Sequence, residues 1–154
     1  MMTSLCSDVL KVLKGKTLVT AESLTGGGIG AAITGVSGAS EVYKGGIISY
    51  TNWVKEHILG VSARTLEVHG AVSVQTAEEM AVGARKLLGA DVAVSVTGLA
   101  GPGGDDYGNP VGTVCIGYSS EAESFAVCRH FEGDREAVRN QTIRAALELV
   151  LDNQ

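Results

Sequence analysis

The apolar positions of this chain change their spacing several times, and each change marks an element. Leu5, Val9, Leu10 and Leu13 recur with the period of one helical face. That spacing predicts a first helix, stopped at Gly15. Thr17 to Thr20 is a short β-branched run and reads as a buried strand. Ser23 to Thr25 is a polar turn, and Gly26 to Thr34 reads as a helix of small residues, poor in helix propensity but able to pack tightly or bring backbone near a ligand. Gly45 to Tyr50 is the next strand. Thr51 to Leu59 starts a helix that Thr51 or Asn52 can cap. Ser62 to His69 is a short helix closed by Gly70. From Thr76 to Leu88 the helical pattern is strong: Ala77, Met80, Ala81, Ala84 and Leu87-Leu88 make one face, ended by Gly89. Asp91 to Thr97 is a Val-rich strand, followed by a long glycine-rich loop from Gly98 to Pro110. Val111 to Tyr118 and Ser124 to Phe131 read as a strand pair joined through polar residues 119–123, and Asp134 to Leu151 as the last helix.

Helices and strands alternate early, and two adjacent strands follow late. The order predicts an α/β fold, a three-layer α/β/α sandwich with a mixed central sheet and helices on both faces. With no repeat and no linker, residues 1–154 read as a single domain. Open α/β sheets bind ligands outside the carboxyl ends of their strands. There the order gathers Ser23, Tyr50 and the Gly98 loop.

Composition sharpens this in four places. Aromatics are only 5% against 45% apolar residues, so the core must be aliphatic. The net charge of -5, with no basic stripe, argues against a nucleic-acid partner. No stretch approaches the ~18 uninterrupted apolar residues of a membrane span, and residues 1–13 lack the apolar run of a signal peptide. Cys6, Cys115 and Cys128, odd in number and without CxxC spacing, read as reduced thiols of a cytoplasmic protein and not as a structural zinc site.

The candidate chemistry lies in two segments, Ala21-Glu22-Ser23-Leu24-Thr25-Gly26-Gly27-Gly28 and Gly45-Gly46-Ile47-Ile48-Ser49-Tyr50-Thr51-Asn52-Trp53-Val54-Lys55. Ser23 is a nucleophile if a base removes its proton; by position alone it reads as a helix N-cap. Thr25-Gly26-Gly27 follows it, where amides at a helix N-terminus can hold an oxyanion or phosphate. The segment is neither GxSxG nor SxxK. Lys55 is the candidate base. Burial and a place in the first turn of a helix would both disfavour its cation; otherwise it is a solvated surface lysine. Tyr50 can relay a proton between Ser23 and Lys55 or donate to a leaving amine, or simply sit half-buried at a sheet end. The loop Thr97-Gly98-Leu99-Ala100-Gly101-Pro102-Gly103-Gly104 is neither Walker A nor GxGxxG but can form an anion-binding nest. Arg135 and Arg139, one helical turn apart, can clamp a phosphate or pair with Glu132, Asp134 and Glu136. His57, His69 and His130 show no metal spacing, and no local signature supports a Ser-His-Asp triad. Asp105 and Asp106 read as solvated loop acids.

These segments, with Tyr43-Lys44, His69-Gly70-Ala71-Val72-Ser73, Pro110-Val111-Gly112-Thr113-Val114 and Phe131-Glu132-Gly133-Asp134-Arg135 plus Arg139, resemble the C-terminal domain of the CinA competence/damage-inducible family in its stand-alone amidohydrolase form. The resemblance runs through nearly the whole chain. It implies metal-independent, cofactor-free deamidation of nicotinamide mononucleotide to nicotinate mononucleotide and ammonia, in pyridine-nucleotide salvage. The family's nucleophile falls on Ser23, and its tyrosine and lysine on Tyr50 and Lys55. Thr25, Gly26, Gly27, Asn52, Thr97, Gly101, Gly103, Gly104, Arg135 and Arg139 are the expected substrate contacts. A homo-oligomer is implied, with Val42-Tyr43 and Trp53-Val54 as apolar groups for an interface. One departure is Asn109, where the family commonly has Lys before Pro-Val-Gly-Thr-Val; that lysine's role would be phosphate contact or loop support. The competing reading is an inactive nucleotide-binding or competence/damage-associated interaction module.

Overall fold

A computed structural model describes residues 2–154. The elements are α1 (Met2–Val12), β1 (Leu18–Glu22), α2 (Gly28–Thr34), a 3-10 turn (Ala39–Glu41), β2 (Tyr43–Ile48), α3 (Asn52–His57), α4 (Ala63–His69), α5 (Val74–Leu88), β3 (Val92–Gly98), β4 (Thr113–Ser120), β5 (Ser124–His130) and α6 (Arg135–Asp152). The sheet order is β2-β1-β3-β4-β5. β1 runs parallel to β2 and β3, and the last two pairings are antiparallel. The mixed sheet predicted from the sequence is present, with helices on both faces.

Alternation along β3 divides the two layers, because successive side chains point to opposite faces. Val92, Val94 and Val96 join Leu18, Val114, Ile116 and Tyr118 against α1, α2 and α6. Ala93 joins Val19 and Ala21 against Met80, Ala81 and Ala84 of α5. The α5 face carries small residues because that helix lies very close. A Cβ at Gly117 of β4 would collide with the carbonyl oxygen of Ala77. Caps fix the starts of α3, α4 and α5: Thr51, Ser62 and Ser73 accept from the amides of Val54, Thr65 and Thr76.

One expectation fails in the sheet. Cys115 and Cys128 are not free thiols but form a disulfide across β4 and β5, where the register sets them directly opposite one another. Cys6 remains a free, buried cysteine. Val42, expected near an interface, lies in the core. Among the described residues no helix is long and apolar enough to cross a membrane.

Candidate active site

A cleft of about 310 Å³ opens at the carboxyl ends of the parallel strands. Ser23, Leu24, Tyr50, Asn52, Lys55, Ala71, Val72, Thr97, Leu99, Gly101 and Arg135 are among the residues lining it. At its floor the Lys55 Nζ donates to Ser23 Oγ at 3.0 Å and to the Ser49 carbonyl at 2.9 Å. Both side chains are buried, and burial lowers the lysine pKa to about 8. Burial alone accounts for the shift: Lys55 stands in the last turn of the six-residue α3, not the first as expected, so the helix dipole does not help it.

Ser23 is not a helix cap. Its amide donates to the Val96 carbonyl at 3.0 Å, which pins it between β1 and β3, and α2 begins only at Gly28 with Gly27 as N-cap. The turn between them is organised by Glu22, whose role the sequence did not suggest. Its buried carboxylate accepts from the Thr25 hydroxyl and from the amides of Ile29 and Gly30, at 2.8 and 3.0 Å. The Thr25 hydroxyl proton is therefore spent on Glu22. The Gly26 and Gly28 amides close turns on the Ser23 and Thr25 carbonyls. Arg139 clamps the same turn from α6, donating to the carbonyls of Leu24 and Thr25 at 3.0 and 3.1 Å.

Tyr50 lines the cleft, but its hydroxyl is bonded to neither Ser23 nor Lys55, which touch each other directly. It is 57% exposed, and its hydroxyl accepts from Arg135 Nη2 at 3.1 Å. The other arm of Arg135 donates to the Gly101 carbonyl at 2.6 Å. This arginine thus joins the α6 start, the segment after β2 and the glycine loop across the rim. Of the expected contacts, Asn52, Thr97, Gly101, Gly103 and Arg135 line the cleft; Thr25, Gly26, Gly27, Gly104 and Arg139 do not. The Thr97 hydroxyl itself is held by the Ala71 carbonyl at 2.8 Å.

Asn109 supports the loop. Its side-chain amide donates to the Val72 carbonyl at 3.1 Å and to Asp105 at 2.9 Å. Burial would raise the Asp105 pKa, but the hydrogen bonds from Asn109 and from the Tyr107 amide outweigh it and the net shift is downward. Leu24, Ala71, Val72, Leu99 and Ala100 are cleft residues that the sequence reading did not single out as contacts, although all of them stand inside motifs it had marked. Among the described residues no histidine lines the cleft, and no cluster of three His, Cys, Asp or Glu side chains is placed to hold a metal.

Fold and site together define an α/β protein with a buried Ser–Lys pair at the strand ends of a mixed sheet. The CinA C-terminal domain profile matches residues 2–153, and the chain belongs to that family. It is 46% identical to a CinA-like protein of Thermotoga maritima, over 91% of this chain and 35% of that protein. It is 47% identical to a putative competence-damage inducible protein of Thermoanaerobacter sp. strain X514, over 87% of this chain and 32% of the relative. The chain thus spans about a third of the length of these curated relatives. Among solved structures, a CinA superfamily protein from Escherichia coli superposes with TM-score 0.97 at 35% identity, covering 100% of this chain and 91% of that one. A competence/damage inducible protein from Agrobacterium tumefaciens gives 0.94 at 39%, covering 99% and 96%.

Proposed function

We propose that this protein hydrolyses the carboxamide of nicotinamide mononucleotide by a Ser–Lys mechanism. The observation that carries the reading is Lys55, buried and 3.0 Å from Ser23 Oγ, with its pKa lowered by burial to about 8. A neutral amine within hydrogen-bond reach of a hydroxyl is a competent general base.

Ser23 Oγ attacks the carboxamide carbon as Lys55 Nζ takes its proton. The same proton then goes to the departing amine, ammonia leaves, and an acyl ester remains on Ser23. Water attacks the ester, giving its proton to Lys55, and Ser23 Oγ recovers it as the carboxylate leaves. The oxyanion needs amide donors beside Ser23. Those of Ile29, Gly30, Gly26 and Gly28 are engaged elsewhere. Leu24 lines the cleft, and among the described residues its amide makes no hydrogen bond within the protein, so it is the better candidate. Arg135 is the cation at the rim for the phosphate, beside Asn52, Thr97, Gly101 and Gly103. Exposed Trp53, stacked on His57, marks the face where a second copy would pack in a homo-oligomer.

The test compares nicotinamide mononucleotide, nicotinamide riboside and nicotinamide by chromatography of the acid products. Turnover of the mononucleotide far above the two unphosphorylated amides is expected. Equal turnover of all three would remove the phosphate site, and binding of the mononucleotide without turnover would make this a nucleotide-binding module.

A further inference from the structure

We infer that Glu22 is a positioning residue that aims Ser23 at Lys55 by fastening the nucleophile's turn to the start of α2. The inference rests on the Ser–Lys reading above. Glu22 ends β1 on the face that packs against α2, and Ser23 follows it directly. One carboxylate takes donors from the two places that bracket the turn. Thr25, two residues past the nucleophile, gives its hydroxyl; Ile29 and Gly30, in the first turn of α2, give their amides. The loop from Ser23 to Gly27 is thereby closed on itself.

The same residue reaches the lysine's support through its backbone. The Glu22 carbonyl accepts from the Ser49 amide at 2.8 Å, and the Ser49 carbonyl in turn accepts from Lys55 Nζ at 2.9 Å. Both members of the pair are therefore referred to one point at the end of β1. A glutamine at position 22 keeps the shape but sets an NH₂ against one of three donors, so one bond is lost and the turn loosens. Glu22 touches neither Ser23 Oγ nor the cleft, so its effect must come through geometry.

A fluorophosphonate probe reads this without the nucleotide. Ser23 Oγ bonds to phosphorus, the phosphorus–fluorine bond breaks, fluoride leaves and the hydroxyl proton passes to Lys55. Labelling rates are compared across pH, well below each melting point, for the unaltered chain, Glu22→Gln and Thr25→Val. For Glu22→Gln we expect a plateau rate lower by roughly 10- to 100-fold, the scale of a misplaced reacting atom, with the pH midpoint unmoved. Thr25→Val, which leaves both amide bonds in place and keeps the proposal testable if Glu22→Gln fails to fold, should lose less, roughly several-fold, as one hydrogen bond of three is removed. A lower melting point with an unchanged labelling rate would make Glu22 merely structural and overturn the proposal. A shifted midpoint with an unchanged plateau would overturn it as well. Absence of labelling in the unaltered chain would remove the activated serine and the proposal together. Labelling without turnover of nicotinamide mononucleotide would sink only the substrate reading.

Discussion

The bulkiest of the fully buried side chains is that of Lys55. Among the described residues nothing acidic pairs with it: its donors go to a hydroxyl and a carbonyl. Burial without a counter-ion disfavours the lysine's cation and raises the share of the neutral amine, which is the form a base must have. Activity should therefore rise with pH, reach half its limit near the folded value of about 8, and fall roughly tenfold per unit below it. Lys55→Arg, which cannot deprotonate, should abolish turnover at every pH. A flat pH–rate profile would remove Lys55 as base. The same burial costs stability. Between about 8 in the folded chain and about 10.4 unfolded, the unfolded state holds more protons, so stability rises with pH across that window. Lys55→Met should thus melt higher than the unaltered protein at pH 7, with the gain shrinking above pH 8. A mutant that melts lower at pH 7 would show that the lysine is stabilising as it stands.

The elements bring these residues together by close backbone approach. Gly83 lies inside α5, where a Cβ would strike the carbonyl oxygen of Leu59. The segment containing Leu59 is tied to α3: the Val61 amide donates to the Lys55 carbonyl and the Leu59 amide to that of Val54. An exposed helical Gly→Ala substitution gains up to ~1 kcal/mol. Here Gly83→Ala should instead lose about 1–3 kcal/mol, as overpacking does, read as a lower urea midpoint. An unchanged midpoint would mean that α5 has room to move away. Most of this architecture was legible in the sequence. The alternating apolar periods gave the order of helices and strands, and Ser62, Gly70 and Gly89 marked helix ends where they occur. What was not legible depended on distant partners. The Tyr50 hydroxyl is directed by Arg135, 85 residues away, and Arg139 reaches back 115 residues to Leu24. Nothing local singles out Glu22, whose amide partners Ile29 and Gly30 reach it only once α2 is folded over the turn. The Ser23 turn reads as a cap because nothing local says that α2 starts five residues later.

At the scale of the whole molecule, one covalent link corrects a compositional argument. Three cysteines without CxxC spacing suggested thiols, yet a hairpin turning at 120–123 sets Cys115 opposite Cys128, a register that the predicted strand pair did not specify. The bond closes a 13-residue separation. Reduction, or Cys128→Ser, should lower stability by at most about 3 kcal/mol in denaturant unfolding, since the hairpin already limits the unfolded chain's gain. No change with reductant would mean that the link adds nothing beyond the strand pairing. The cleft stands at the opposite side of the sheet's centre from this hairpin's turn, where β1, β2 and β3 end and three loops meet α6. Its function rests on a single pair of side chains. The most direct measurement is ammonia release from nicotinamide mononucleotide in the presence of EDTA, by the unaltered protein and by Ser23→Ala. Release that survives the chelator and falls by roughly 10³-fold or more in the mutant is the expected result. Equal release by both proteins, or none from the unaltered one, would contradict the account.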